Sequence, residues 1–258
     1  MTFRIIDYIV FSYYLPRIIF NIKNWVQFLQ AYIWRYKWTI YFRNGLRLMV
    51  SDLHDASSLN VIFIKKEYWN IEPNSTILDI GSNRGYFSIY AAKNGGGRIF
   101  AYEPIYSTYQ SIVHNIWMNE YQKVITPFNV GVSGSDEVKE FFIHASITTS
   151  MVFKGDENTE IQKISCVSLK NIIDSNKLLK IDLIKMDCEW AEYEIFYNTP
   201  RVYLDMIKEI RMEYHDSKND KMNILELKKF MLKNNYRVKK QVATTDSLGI
   251  VWFQNIWS

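Results

Sequence analysis

The polar residues of this chain that could do chemistry sit where apolar runs stop. Ile77-Leu78-Asp79-Ile80 carries a carboxylate near its end, and Gly81-Ser82-Asn83-Arg84-Gly85 follows before a helical pattern begins at Tyr86. Strand, glycine turn and helix in that order form the corner with which α/β sheets cradle nucleotides. Eighteen residues past Gly85, a second apolar run ends in Glu103. A carboxylate at the tip of a second strand is placed to accept hydrogen bonds from ribose hydroxyls. Asn129, Asp187 and the pair Glu213/His215 end further apolar runs. Ligands of open parallel sheets gather at the carboxyl ends of the strands, so these residues are expected to meet in one cleft.

The glycine count selects the kind of ligand. A dinucleotide turn reads G-x-G-x-x-G, with a middle glycine that admits a pyrophosphate. Asn83 holds that middle position here, and no phosphate-binding lysine follows as in a P-loop. Asp79-x-Gly81-x-x-x-Gly85 suits a nucleoside without phosphates, and S-adenosylmethionine (SAM) is such a ligand.

The elements that must carry these residues alternate. Strands are expected at 76–80, 99–102, 124–129, 181–186, 209–214, 237–242 and 250–254. Helices are expected at 86–94, 106–119, 169–175, 191–197 and 224–234. The apolar run Val61-Ile62-Phe63-Ile64 precedes a helix expected to start near Lys66. An antiparallel excursion is expected at 138–143, then a polar loop through Gly155-Asp156. This order implies an α/β fold with a mostly parallel sheet covered by helices on both faces.

Residues 1–48 differ from the rest. Seven basic residues against Asp7 alone give positions 1–50 a charge of +6, so the other 208 residues sum to −2. Apolar residues recur there at helical spacing, predicting two or three helices broken near Pro16. Charges interrupt every run before the ~18 apolar residues of a spanning helix. The segment reads either as an interfacial membrane anchor or as a helical cap on the domain at 49–258. Two cysteines, Cys166 and Cys188, in unrelated contexts offer no disulfide framework or zinc motif. That fits a reducing, cytoplasmic location, with residues 1–45 in peripheral contact with the inner face of a membrane.

These motifs also resemble a known family. Asp79-Ile-Gly81-Ser-Asn83-Arg-Gly85-Tyr-Phe-Ser is similar to the first motif of the FkbM-type SAM-dependent methyltransferases. Ala101-Tyr102-Glu103-Pro104 followed by His114-Asn115 resembles their second motif. Ile184-Lys185-Met186-Asp187-Cys188-Glu189-Trp190-Ala191-Glu192 resembles their I-K-x-D-x-E-G-x-E segment, with Trp190 where the family usually has glycine. The stretch from Arg47 to Tyr68 resembles the lead-in, so the likeness covers about residues 47–255. It implies a class I methyltransferase, Rossmann-like seven-stranded sheet with an antiparallel last strand. It also implies SAM as donor and O-methylation of sugars or natural products.

For such a reaction, Gly81 and Gly85 would give backbone access to the cofactor. Asp79 would lie near the methionine amine, Asn83 and Ser82 near the amino-acid tail, and Glu103 at the ribose. The Asn129-Val130 turn would border the adenine. Asn and Ser also stabilise turns in their own right. A hydroxyl is a poor nucleophile, so a general base helps. Asp187 is the first candidate for base or acceptor orientation, and His215 the second. Lys185 shares a strand face with Asp187 and could hold its charge or an anionic acceptor. Glu189 could clamp acceptor hydroxyls or cap the next helix. Asp187, Glu189, Glu213 and His215 are also donors that suit Mg²⁺ or Mn²⁺, but no spacing is diagnostic and no metal is expected. His54, His114 and His144 are read as structural. The acceptor is expected to be a glycan, a glycolipid or a small hydroxylated metabolite. The alternatives are a nucleic-acid methyltransferase, and a non-catalytic SAM-fold module tethered to a membrane or partner.

Overall fold

The computed structural model describes residues 5–34, 36–66, 68, 70–144, 159–188, 191–217 and 221–257. The chain starts with α1 (Ile5–Asn21), α2 (Trp25–Trp34), the hairpin β1 (Trp38–Tyr41) and β2 (Arg47–Val50), and α3 (Leu53–Leu59). It continues through β3 (Thr76–Ile80), α4 (Tyr86–Lys93), β4 (Arg98–Tyr102), α5 (Tyr106–Met118) and β5 (Ile125–Phe128). A small sheet follows, of β6 (Gly131–Ser133), β7 (Glu137–His144) and β8 (Thr159–Ser168). Then come α6 (Leu169–Ser175), β9 (Ile181–Met186), α7 (Glu192–Asn198), α8 (Arg201–Leu204) and β10 (Ile207–His215). The last elements are α9 (Ile224–Lys233), β11 (Tyr236–Ala243) and β12 (Leu248–Asn255).

The central sheet has seven strands in the order β11-β12-β10-β9-β3-β4-β5. Its strands β10, β9, β3, β4 and β5 are parallel neighbours, and β12 runs antiparallel to both β10 and β11. This is the class I, Rossmann-like architecture the motifs lead one to expect. From β3 the chain builds outward through β4 and β5, then crosses back to β9 on the other side of β3. The carboxyl ends of β3 and β9 therefore mark the switch in strand order, where a ligand crevice opens.

The period of two along each strand divides the core. Ile77, Ile99, Ile125 and Leu183 face one cluster, shared with Ile18, Phe28, Leu48 and Phe63 from the N-terminal elements. Leu78, Ile80, Phe100, Ile184 and Met186 face the other, filled by Ile172, Tyr193, Phe196 and Leu227 from the helices after β8. Residues on both sides of position 48 thus share one packed core.

Four local expectations are corrected. Pro16 lies inside α1 and does not break it. Proline removes one N–H donor, and the burial of Ile18 and Ile22 carries the helix past that loss. The helix expected to start near Lys66 instead ends there. It is capped at Asp52, whose carboxylate accepts from Asp55 N at 2.9 Å. It runs on through a π-helical turn (Asn60–Lys65) and stops at Lys66, where φ is +56°. A short apolar run reads equally well as strand or buried helix. The hairpin β1–β2 and strand β8 were not expected as strands. β8 pairs with β7 over residues 159–166 and with β6 over residues 166–168, and Gly155-Asp156 lie outside the described residues. No described helix is long and apolar enough to cross a membrane.

A buried ion pair joins the N-terminal elements to the first motif. Arg84 Nε donates to Asp55, Nη1 to Ser111 Oγ at 3.1 Å, and Nη2 reaches Asp52 at 3.4 Å. Asp55 also accepts from Ser51 N at 2.7 Å. Asn115, fully buried, donates to Arg84 O at 2.9 Å and accepts from Met49 N at 3.0 Å. Removing one partner of such a pair strands a charge in the interior. Arg84→Leu is expected to lower the free energy of unfolding by about 3–5 kcal/mol, and the double variant with Asp55→Leu to recover a large part of it. Urea denaturation measures both.

Candidate functional site

Two strand ends meet backbone to backbone in the crevice. Gly81 has φ +69°, and a Cβ built there would fall 1.8 Å from the carbonyl oxygen of Asp187. Only glycine fits, because β3 and β9 leave the sheet in contact. Asn83 adopts φ +48°, a left-handed conformation that asparagine tolerates. Gly85, at φ +75°, caps α4 where a Cβ would approach Ile112 to 3.1 Å.

This turn delivers its backbone to Glu103. Asn83 N donates to Glu103 Oε2 at 3.0 Å, and Ile105 N donates to Oε1 at 2.9 Å. Burial raises the Glu103 carboxyl to about 7, against the lowering effect of those two donors. Gly81, Asn83, Glu103 and Asp187 line one open cleft, together with Val132 of β6 and Phe141 of β7. The Oδ1 of Asn83 is buried with no hydrogen-bond partner among the described residues. The glycine cradle, the ribose-type carboxylate and the waiting amide oxygen fit a nucleoside with an amino-acid tail.

The other expected cofactor residues hold this lining and do not form it. Asp79 is fully buried beneath the turn, where it accepts from Ser88 Oγ at 2.6 Å and lies 3.6 Å from Lys185 Nζ. Ser82 is buried, and its hydroxyl donates to Tyr102 O at 3.1 Å. Asn129 donates to the carbonyls of Glu103 and Pro104 at 3.0 and 2.9 Å, bracing the loop, and Val130 precedes the lining residue Gly131.

Lys185 is 5% exposed, too deep to reach an acceptor. Its ammonium donates to Gly81 O at 2.9 Å and lies 3.8 Å from Asp187 Oδ2. Burial works against this charge, but Asp79, Asp187 and Glu213 outweigh it and hold the lysine above its ordinary range. Asp187, Glu213 and His215 each bring a donor atom to one spot, all within 4.8 Å of one another. Behind them, Glu192 is fully buried; its Oε1 lies 3.4 Å from His215 Nδ1 and accepts from Cys188 N at 3.3 Å. Asp187 belongs to both places, facing the cofactor cleft on one side and this cluster on the other. Glu189 and Trp190 lie outside the described residues.

Sequence reasoning missed Glu192 as the group behind His215, and it assigned His54 to structure although that residue borders the cleft. The signal that could have found Glu192 was its place as the last carboxylate of the I-K-x-D-x-E-G-x-E segment. Phe141 was missed because its small sheet folds back over the crevice from outside the alternating pattern.

The family model for the methyltransferase FkbM domain matches residues 79–238, more than half of the chain. A protein called methyltransferase 1 from Beauveria bassiana is 26% identical over 193 residues, which is 64% of this chain and 78% of that protein. The AMB antimetabolite synthetase AmbE of Pseudomonas aeruginosa is 21% identical over 187 residues, 58% of this chain; the chain spans only 9% of AmbE. Among solved structures, methyltransferase FkbM from Methylobacillus flagellatus superposes with a TM-score of 0.50 at 14% identity, covering 76% of this chain and 47% of that one. That likeness bears on the fold.

Were Glu103 to take ribose hydroxyls, its ionised form would be the better acceptor, and burial delays that ionisation until pH passes about 7. Its folded pKa lies above the ordinary 4.5, so its ionisation costs stability as pH rises through that window, and a bound ribose offsets this cost. The affinity for S-adenosylhomocysteine is expected to rise about tenfold between roughly pH 6 and 8. Glu103→Gln should bind more weakly, with a flat pH profile; calorimetry measures both.

Proposed function

This chain belongs to the FkbM methyltransferase family and uses SAM as its methyl donor, and from that premise we propose that it methylates a hydroxyl oxygen of a glycan, glycolipid or small hydroxylated metabolite. The observation that carries the proposal is the Asp187–Glu213–His215 cluster next to the cofactor cleft, with buried Glu192 behind the imidazole. SAM supplies a methyl carbon already activated by positive sulfur. What remains for the protein is alignment of the attacking oxygen and removal of its proton.

Glu103 takes the ribose hydroxyls, and the Gly81 backbone with Asn83 takes the amino-acid end. Asp187 accepts a hydrogen bond from a hydroxyl next to the one that is methylated and so sets the direction of the acceptor, leaving the proton of the attacking hydroxyl to His215. His215 receives the proton as the oxygen–methyl bond forms, and Glu192 holds the ring in position for that transfer. Lys185 fixes the Asp187 carboxylate from behind. Phe141 and Val132, in the lining of the cleft, shield the reacting atoms from water.

Asp187→Asn and His215→Ala should each lower kcat by ~10²–10⁴-fold, and in His215→Ala, a change outside the cofactor cleft, S-adenosylhomocysteine affinity should stay within about twofold. Glu192→Gln should shift the pH profile of kcat/KM. Labelled SAM offered with glycan and lipid fractions should leave label in base-stable methyl ethers, identified by mass spectrometry; label found only in RNA or protein would overturn the acceptor class.

The 4.8 Å grouping also favours a second arrangement, in which Asp187, Glu213 and His215 hold a divalent cation and Glu192 orients the histidine ligand from behind. Titration with Mn²⁺ followed by electron paramagnetic resonance separates the two. Saturable binding lost in Glu213→Gln supports the cation, and a spectrum of free Mn²⁺ alone excludes it.

A further inference from the structure

The N-terminal elements have two unlike faces. Ile18, Ile22, Phe28 and Ala31 are buried against Ile40, Phe42 and Leu48 of the hairpin, so this unit is anchored to the catalytic core. The outer face is apolar where a surface helix would ordinarily be polar. Phe20 is 76% exposed and Tyr13 64%, with Ile19, Val26, Trp38 and Tyr41 also turned outward. Leu15, Pro16, Ile19 and Phe20 form one shallow apolar surface rimmed by Arg43. Single exposed apolar residues need no explanation, but a contiguous group on one side of a molecule does.

Past Asp7, the charges these elements themselves carry have one sign. Arg17, Lys23, Arg43 and Arg47 are exposed, and the sequence holds no acidic residue between Asp7 and Asp52. The Arg17 guanidinium lies 5.6 and 5.7 Å from the ring centres of Tyr13 and Tyr14, which keeps the cation beside the aromatic surface. Aromatic side chains interleaved with arginine and lysine suit the headgroup layer of a bilayer. There the rings enter the acyl boundary and the cations meet lipid phosphates. No described helix can cross the bilayer, so contact would be in plane.

We propose that the outer face of α1, α2 and the β1–β2 hairpin docks on an anionic phospholipid surface. A helical cap and a membrane contact are then two faces of the same segment. The inference stands on charge and exposure alone and is independent of the acceptor.

The test is sedimentation of the full chain with vesicles of phosphatidylcholine, with and without phosphatidylglycerol. The chain should pellet with the anionic vesicles, remain in the supernatant with neutral ones, and be released by high salt. Arg17→Glu with Arg43→Glu should weaken partitioning by more than ~tenfold, and Phe20→Ser with Val26→Ser should also weaken it. These residues are exposed, so S-adenosylhomocysteine binding by all variants should match the unaltered chain and report intact folding. Failure to pellet with either vesicle, or unchanged pelleting of the variants, would overturn the proposal. Light scattering that shows a dimer broken by Phe20→Ser would also overturn it, by assigning the face to a second copy. Retention on RNA but not on anionic lipid would do the same.

Discussion

The ammonium of Lys185 is the point to which the rest of the site is tied. It sits inside the sheet at the switch in strand order, beside Asp79 in the register, bound to the Gly81 carbonyl and close to Asp187. Two segments far apart in sequence are set by one cation: the end of β3 with the cofactor turn that follows it, and the exit of β9. A buried charge is costly unless it is surrounded by opposite charge and dipoles. Here the surroundings are the functional residues themselves, so their positions are fixed by the need to keep that charge satisfied. Lys185 is a positioning residue in this sense, with no contact to the reacting atoms.

Around this centre the molecule is built in two halves with different tasks. The face packed by α4, α5 and the N-terminal elements stabilises the cofactor turn from below, through Arg84, Asp55 and Asn115. The face packed by α6 to α9 carries β9 and β10 and with them the acceptor-side cluster. Glu192 comes from the first turn of α7, which places a carboxylate at a helix N-terminus, where it is electrostatically favoured, and beside His215. Among the described residues, the small sheet of β6, β7 and β8 contributes Gly131, Val132 and Phe141, and no charge, to the lining of the crevice.

Most of this architecture could be read from the sequence because the central strands are buried on both faces and bounded by sharp turns. The expected strand at 76–80 and the helix at 169–175 coincide with β3 and α6, and the antiparallel last strand is β12. Gly81, Asn83, Glu103 and Asp187 were legible as cleft residues because chain position at a strand end dictates spatial position in a parallel sheet. Asp79 and Ser82 share those strand ends, yet their side chains turn into the core. The alternation of faces decides that, and a motif pattern does not encode it. β1, β2 and β8 escaped because each is short or half-polar and gains its partner only through a fold-back: Ile161 on β8 is 55% exposed, whereas Ile164 is buried. Pro16 misled because local propensity was outweighed by the burial of its neighbours.

The contact of Gly81 with the Asp187 backbone carries a consequence for how this catalyst could change over generations. Donor grip and acceptor chemistry share one seam of main chain, with no slack for a single methyl group. A lineage exploring new acceptors therefore has little freedom at the β9 exit. Innovation is channelled to the periphery, to the canopy strands and the loop beyond β10, where insertions leave the seam undisturbed.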